Sequence, residues 1–171
     1  MNTGTMNKYV IFLLLCTYLN AFAQPTSTGP SFTIEMVSAE LNKFHNLRDF
    51  SISPNEDEAF FTVQSPNGEL SMIVCVKDQK WDDPIILPFC DRYKYLEPFL
   101  SNDGKRLYFA SNRPKSESDT LKSDFDLWYV ERKDSNSKWS NPINMGSQVN
   151  SESSEFYPTL ADNNNLYFTH V

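Results

Sequence analysis

Several carboxylates in this sequence are spaced so that they could surround a shared ligand. Asp91, Glu97 and Glu155 lie near the first strand of predicted hairpins, and two converging carboxyl groups are what cleavage of a glycosidic bond requires. Carboxylates near the surface, however, are more often hydrated or paired with cations than catalytic. We therefore predict that Glu97 contacts a ligand rather than taking part in catalysis.

A second candidate site follows the stretch "LSNDGKRLYFASNRP", which begins at Leu100. Its Asn, Asp and Gly residues are explained by turn geometry, because these residues adopt left-handed backbone conformations readily. Asn112 and Arg113 lie just beyond the predicted strand and are candidates for ligand binding, together with Asp126. Alternatively, Arg113 ties its loop to Asp126, which begins a later strand. Both interpretations stay open at this stage.

Other catalytic or metal-binding arrangements find little support. His45 and His170 are far apart, and neither has a His, Cys or carboxylate neighbour at ligand spacing. The segments "SDFDLW" and "ADNNN" offer oxygen ligands without the graded series and bidentate Glu of a calcium loop. The sequence has no G-x-S-x-G motif, and no Ser or Cys has a recognisable His and carboxylate partner. We predict no catalytic residue, no metal and no cofactor.

The N-terminus has the features of a secretory signal. Lys8 precedes the apolar run "YVIFLLLCTYL", which is followed by "AFA", and this order predicts a signal peptide over residues 1–23 with cleavage before Gln24. Residues 24–31 form a polar leader. The apolar run is shorter than the roughly 20 residues of a membrane helix, so we expect no membrane span after cleavage. The protein is predicted to be exported to the periplasm, the outer envelope or the medium.

Charge and cysteine content restrict the partners further. The chain carries 22 acidic and 15 basic residues, for a net charge of -7, and it lacks the basic stripes that nucleic acids and anionic membranes require. In an oxidising compartment Cys75 and Cys90 could form a disulfide. Alternatively, Cys75 within "MIVCV" is simply a small buried apolar residue.

One pattern occurs three times along the chain. It reads "ISPNEDEAFFTV" from Ile52, "LSNDGKRLYFAS" from Leu100 and "LADNNNLYFTH" from Leu160, with a shorter turn in the last copy. Turn residues followed by alternating strand residues predict hairpins near 50–63, 97–111 and 157–169. A second pattern, "KWDDPIIL" and "KWSNPINM", recurs between them. Its repeated Trp81 and Trp139 are most simply packing residues, although exposed tryptophans could stack on sugars.

The repeats predict an all-β fold built from blades of four antiparallel strands. The second copy places strands near 95–101, 106–111, 126–131 and 141–145, and aromatic residues on both faces suit a sheet covered on both sides. Repeats of roughly 40 to 50 residues are typical of β-propeller blades. A β-sandwich core is the alternative explanation of the aromatic content. Residues 32–37 are predicted to be the last strand of a preceding or ring-closing blade.

The predicted domain, residues 32–171, is an incomplete ring of about two blades and the start of a third. A propeller needs at least about four blades, so we expect either that the chain is a fragment whose downstream blades complete the ring, or that another chain completes it. Leu166, Tyr167 and Phe168 would then lie on an uncovered terminal face.

The segments "EPFLSNDGKRLYFASNRP", "DFDLWYVER" and "KWSNPINMGSQVNSESSEFYP" resemble the TolB-like, WD-repeat-like β-propeller repeats of exported bacterial proteins. The resemblance implies a propeller fold and several roles, namely binding scaffold, envelope protein or accessory domain of an enzyme. The first copy departs from the pattern, with Asp57 and Glu58 where Gly and Lys are usual.

These observations together predict an exported, non-catalytic β-propeller scaffold. Loops at one end of the ring are expected to bind a protein, a peptide or a glycan. The alternative is the propeller module of a hydrolase, either a serine peptidase or a glycosidase, whose catalytic residues lie outside this chain.

Overall fold

The computed structural model describes residues 40–44, 46–78, 83–116 and 124–171. The predicted signal peptide, the polar leader, the predicted strand at 32–37, His45 and Trp81 lie outside these residues. The described part begins with a short 3-10 helix, Glu40–Lys43. Strands follow in this order: β1 Leu47–Ile52, β2 Glu58–Gln64, β3 Ser71–Lys77, β4 Ile85–Ile86, β5 Tyr95–Leu100, β6 Arg106–Ser111, β7 Asp126–Glu131, β8 Ile143–Asn144, β9 Glu155–Leu160 and β10 Leu166–His170.

The strands form three antiparallel sheets. Sheet 1 has the order β1-β2-β3-β4, sheet 2 has the order β5-β6-β7-β8, and sheet 3 is the hairpin of β9 and β10. Sheets 1 and 2 are therefore two meanders with the same connectivity. The all-β class is confirmed, and the four strands predicted from the second copy coincide with β5 to β8.

The middle strands of sheets 1 and 2 are buried on both faces, as a sheet that lies between other elements must be. Phe60 and Ile73 of sheet 1 meet Tyr95, Phe109 and Trp128 of sheet 2 in the largest apolar cluster. The packing role predicted for Trp139 is confirmed, because its ring lies edge-on against that of Phe60 in the same cluster, with centroids 6.2 Å apart.

The outer faces of these sheets are covered by different elements. In sheet 1, Phe61 packs against Phe44 beyond the 3-10 helix. In sheet 2, Leu127 packs with Phe156 and Leu166 of sheet 3. Sheet 2 is thus enclosed between sheets 1 and 3, whereas Tyr167 of sheet 3 remains 59% exposed.

The first strand of every sheet carries a bulge at the same place. The residue that begins the bulge is Asp49 in β1, Glu97 in β5 and Tyr157 in β9, and all three have a positive φ between 54° and 58°. In each case two residues of the first strand face one residue of its neighbour, which is the definition of a bulge. The repeat therefore extends to backbone conformation as well as to strand order.

The turns after these strands also share a left-handed residue. Glu56, Gly104 and Asn164 occupy it, with φ of 58°, 68° and 63°, and each donates its N–H to the carbonyl three residues earlier. Comparison of the sequences assigned the glycine-like place in the first turn to Asp57, but the structure puts Glu56 there. Asp57 instead accepts a hydrogen bond of 2.8 Å from the Ser53 hydroxyl.

Replacing Glu56 by glycine is expected to raise the free energy of unfolding by about 0.5 to 1 kcal/mol, because relief of left-handed strain exceeds the entropy cost of glycine. The opposite change, Gly104→Ala, is expected to lower it by about 1 kcal/mol. Space does not explain that loss, since a Cβ at Gly104 would lie 3.8 Å from its nearest neighbour. Urea denaturation measures both changes, and a destabilised Glu56→Gly variant would contradict the assignment of strain.

Candidate functional site

The segment before β5 and the segment directly after β6 meet sheet 2 at the same end, because the strands of a meander alternate in direction. Between them lies a cavity of about 440 Å³, which we call the loop-end cavity. Its described lining residues include three basic side chains and one aromatic ring: Asp91, Arg92, Tyr93, Arg113, Pro114, Lys115 and Ser116. It includes one of the predicted site residues, Arg113.

Arg113 is held in place by aromatic neighbours. Its guanidinium lies 5.1 Å from the centre of the Trp128 ring, and its Nη1 donates to the Tyr95 hydroxyl at 3.4 Å. The Tyr95 hydroxyl donates in turn to Asp91 at 2.7 Å, and burial followed by this bond raises the pKa of Tyr95. The buried Nε of Arg113 has no hydrogen-bond partner in the part of the chain that the structure describes. Arg113 is therefore fixed in the wall of the cavity by its contacts with Trp128 and Tyr95.

Two further cations border the loop-end cavity. Exposed Arg92 lies over the Tyr93 ring at 5.1 Å and donates to its hydroxyl at 2.9 Å. Lys115 lies 3.8 Å from buried Asp126. With Asp91 as the only acid among the lining residues that the structure describes, the cavity favours an anionic group, because opposite charges attract more strongly where water is partly excluded.

The other predicted site residues near this cavity make contacts within the chain. Asn112 accepts a hydrogen bond of 2.9 Å from the backbone N–H of Lys94, which fixes the loop before β5. Asp126 is fully buried and accepts a hydrogen bond of 2.8 Å from Asn144 of β8. Asn112 therefore holds the segment before β5, and Asp126 ties β7 to β8 while its carboxylate faces Lys115 of the cavity.

Glu97 belongs to a different place, which we call the bulge cluster. Asp49 accepts a hydrogen bond from the Glu97 N–H at 3.3 Å, and Glu97 accepts one from the Tyr157 N–H at 2.6 Å. The side chain of each carboxylate bulge residue thus binds the backbone of the next bulge, in the next sheet. Thr62 of β2 adds a second acceptor for the Glu97 N–H at 3.1 Å.

Arg48 lies beside the bulge cluster and offsets part of the charge of its two carboxylates. Its Nε donates to Asp49 at 2.9 Å, and its Nη2 lies 3.5 Å from Glu97 and from the Tyr157 hydroxyl. Burial raises the pKa of Glu97, although the bond from the Tyr157 backbone opposes that shift. Glu97 therefore joins sheets 2 and 3 by accepting the Tyr157 N–H, although burial disfavours its charged form. An alignment of the three first strands places Asp49, Glu97 and Tyr157 at one position, and this alignment could have identified the role from the sequence.

The carboxylates considered at the outset are in separate sets of contacts. Asp91 binds Tyr95, Glu97 binds the Tyr157 backbone, and Glu155 is fully buried and accepts a hydrogen bond of 2.6 Å from Ser151. In these contacts, no two of the three carboxyl groups face each other.

Ser151, Glu155 and His170 form a cluster that inspection of the sequence missed. The Ser151 oxygen lies 3.1 Å from His170 Nε2, and that nitrogen lies 3.8 Å from Glu155. However, Ser151 directs its proton to Glu155, so His170 can only donate to the serine oxygen. A serine nucleophile needs the histidine to accept its proton and the acid to bind the other ring nitrogen. The arrangement is not that of a catalytic triad.

Cys75 and Cys90 are free thiols within the core between sheets 1 and 2. Burial raises the pKa of each thiol to about 12, which makes both poorly reactive. The disulfide between them stays a prediction.

Within 40–44, 46–78, 83–116 and 124–171, no three His, Cys, Asp or Glu side chains are grouped to hold a metal ion. Over those ranges no helix has the length and apolarity needed to cross a membrane. Compared with known proteins, the chain matches no family model and no curated sequence significantly.

Proposed function

We propose that this chain is part of an exported, non-catalytic β-propeller scaffold and that its loop-end cavity binds a protein, a peptide or a glycan that presents carboxylates. Export follows from the predicted signal peptide. The propeller assignment rests on the resemblance to TolB-like repeats and on the successive four-stranded meanders of sheets 1 and 2.

The repeated fastening between bulges supports the propeller assignment. Asp49 and Glu97 bind the next bulge backbone with the same kind of contact, so each sheet is related to the next in the same way. A radial array of blades requires each blade to contact the next one in the same way. In such an array, the first strands lie closest to the axis, and the bulge cluster would border the central channel.

The observation that carries the binding proposal is the composition of the loop-end cavity. Guanidinium groups recognise carboxylates through paired hydrogen bonds, and Arg92 and Arg113 both line the cavity. The Tyr93 ring provides an apolar surface beside them. Loops positioned by a rigid sheet are the usual location of binding residues.

A binding experiment with loop-end and opposite-end variants tests this proposal. The full chain is titrated with acidic peptides and oligouronates, each beside a neutral analogue in which carboxylates are replaced by amides. We expect the double variant Arg92→Ala/Lys115→Ala to weaken binding of the acidic ligands by about tenfold or more. The matched control is Lys105→Ala/Lys133→Ala, two exposed lysines at the other end of sheet 2.

Either of two results would contradict the proposal. Equal losses in both double variants would indicate general charge attraction rather than a site. Equal affinity for acidic and neutral ligands would show that the cations of the loop-end cavity are not the recognition element. All four substituted side chains are exposed, and because Lys115 lies 3.8 Å from buried Asp126, urea denaturation of each double variant checks that the fold is retained.

A further inference from the structure

A second cavity lies at the opposite end of the sheets, beside the last residue of β3 and the β7–β8 connection. This hairpin-end cavity has a volume of about 360 Å³ and lies between sheets 1 and 2. Its apolar wall is formed by Cys75, Ile85, Leu87, Pro88 and Trp139. The volume is at the lower end of the range for small-molecule sites, roughly 300 to 1,000 Å³.

One rim of this cavity is cationic. Lys77, Arg132 and Lys138 line it, and no carboxylate occurs among its lining residues as the structure describes them. Glu58 lies behind the rim and binds two of these cations: both terminal nitrogens of Arg132, and the Lys77 ammonium at 2.6 Å. After hydrogen bonds from serine hydroxyls, the positive charge of Arg132 also helps to lower the pKa of Asp57 and of Asp134, so carboxylates compensate both Lys77 and Arg132.

The three cations differ in how many hydrogen-bond donors remain unused. Arg132 is almost fully buried, with its Nε bonded to the Gly104 carbonyl at 2.9 Å. The Lys77 ammonium uses two of its three donors, on Glu58 and on the Ser135 carbonyl at 2.7 Å. Exposed Lys138 has no ion-pair or hydrogen-bond partner within the described ranges. Lys138 and the third donor of Lys77 are therefore available to an anion.

We propose that the hairpin-end cavity binds a small aromatic monocarboxylate. The ring of the ligand packs against Trp139, Ile85 and Leu87, and its carboxylate binds Lys138 and Lys77 at the rim. Ile85 supports this assignment because it is 57% exposed at the cavity, so a bound ring removes apolar surface from water. A single carboxylate matches the one rim cation that has no ion-pair partner among the described residues, Lys138, and the apolar wall disfavours any further charge on the ligand.

The test is an NMR titration of the full chain with phenylacetate and, separately, with 2-phenylethanol, which has the same ring without the charge. We expect phenylacetate to shift the amide signals of Ile85, Leu87 and Trp139 at millimolar concentrations, and phenylethanol to bind at least fivefold more weakly. Lys138→Met keeps the apolar stem and removes the charge, so it is expected to weaken phenylacetate binding about tenfold. Lys133→Met, an exposed lysine in the same loop, is the control and should leave affinity unchanged.

The apolar half of the site is tested by Ile85→Ser, which changes an exposed side chain and is expected to weaken both ligands equally. The proposal is overturned if phenylacetate shifts no amide in the hairpin-end cavity at about 20 mM, well above the millimolar range expected for so small a ligand. It is also overturned if the shifts fall only at Arg92 and Tyr93, or if Lys138→Met and Lys133→Met have the same effect. The first outcome leaves the loop-end proposal intact, because the two cavities share no lining residue.

Discussion

Replacing Arg132 by methionine is expected to lower the free energy of unfolding by about 3 to 5 kcal/mol, because it leaves the carboxylate of Glu58 buried with only part of its charge balanced. Glu58 and Arg132 are 4% and 2% exposed, and they join β2 of sheet 1 to the residue that follows β7 of sheet 2. The same guanidinium lies 4.3 Å from the centre of the Trp139 ring. The variant therefore loses contacts on both sides of the junction between the sheets.

The chain offers a matched control for this variant. Arg106 and Glu131 occupy the same register in sheet 2 as Glu58 and Lys77 do in sheet 1, with the charges reversed. Their side chains are 51% and 48% exposed and 3.3 Å apart, so Arg106→Met is expected to cost less than about 1 kcal/mol. Urea denaturation at neutral pH measures both variants. Similar losses for the two would show that the buried ion pair is no more important than a surface pair.

The pH dependence of stability gives a second readout of the same contact. Burial acts to raise the pKa of Glu58, but the hydrogen bonds from Arg132 and Lys77 outweigh it and lower that pKa below its ordinary value. A carboxyl with a lowered pKa in the folded state stabilises the fold above its unfolded pKa of about 4.3, and the stabilisation is lost as pH falls through the folded pKa. We expect the loss of stability below about pH 4 to be smaller in Arg132→Met than in the natural chain.

The repeat pattern was readable from the sequence because turns and strands are local. "SNDGKR" and "NNN" specify tight turns through residues that accept a positive φ, and the strands β5 to β8 follow from alternating residues beside them. The Trp139 packing role could also be inferred, since equivalent positions in successive repeats have equivalent neighbours. The turns and strands are decided by residues close in the chain, whereas the role of Trp139, which packs against distant Phe60, was inferable only through the repeat.

The contacts between sheets could not be read in this way. Glu58 and Arg132 are far apart in the sequence, and a charged residue beginning a strand normally indicates exposure. Glu97 was predicted to contact a ligand, whereas its carboxylate binds the backbone of Tyr157. Ser151 and His170 come together only because β9 pairs with β10. Each of these depends on which strands become neighbours, and that information is not local.

Truncating Glu97 in the bulge cluster is expected to be nearly as costly as losing Arg132. Glu97→Ala leaves the Tyr157 N–H without its acceptor at the junction of sheets 2 and 3 and removes one of the two acidic neighbours of Arg48, which is expected to cost about 2 to 3 kcal/mol. Glu97→Gln retains one oxygen acceptor for the Tyr157 N–H, so its cost is expected to stay below about 1 kcal/mol.

The pH dependence separates a fastening residue from a simple ion pair. Because burial raises the pKa of Glu97, the folded state holds this proton more tightly than the unfolded chain does. Its contribution to stability is therefore present below the unfolded pKa of about 4.3 and is lost as pH rises through the folded pKa. Glu97→Gln cannot titrate, so the difference in stability between it and the natural chain should shift in favour of the variant as pH rises from about 4 to 7. Urea denaturation across that range measures the difference. A shift in the opposite direction would mean that Arg48 holds Glu97 as an ion pair, and that charge rather than the backbone hydrogen bond joins the bulges.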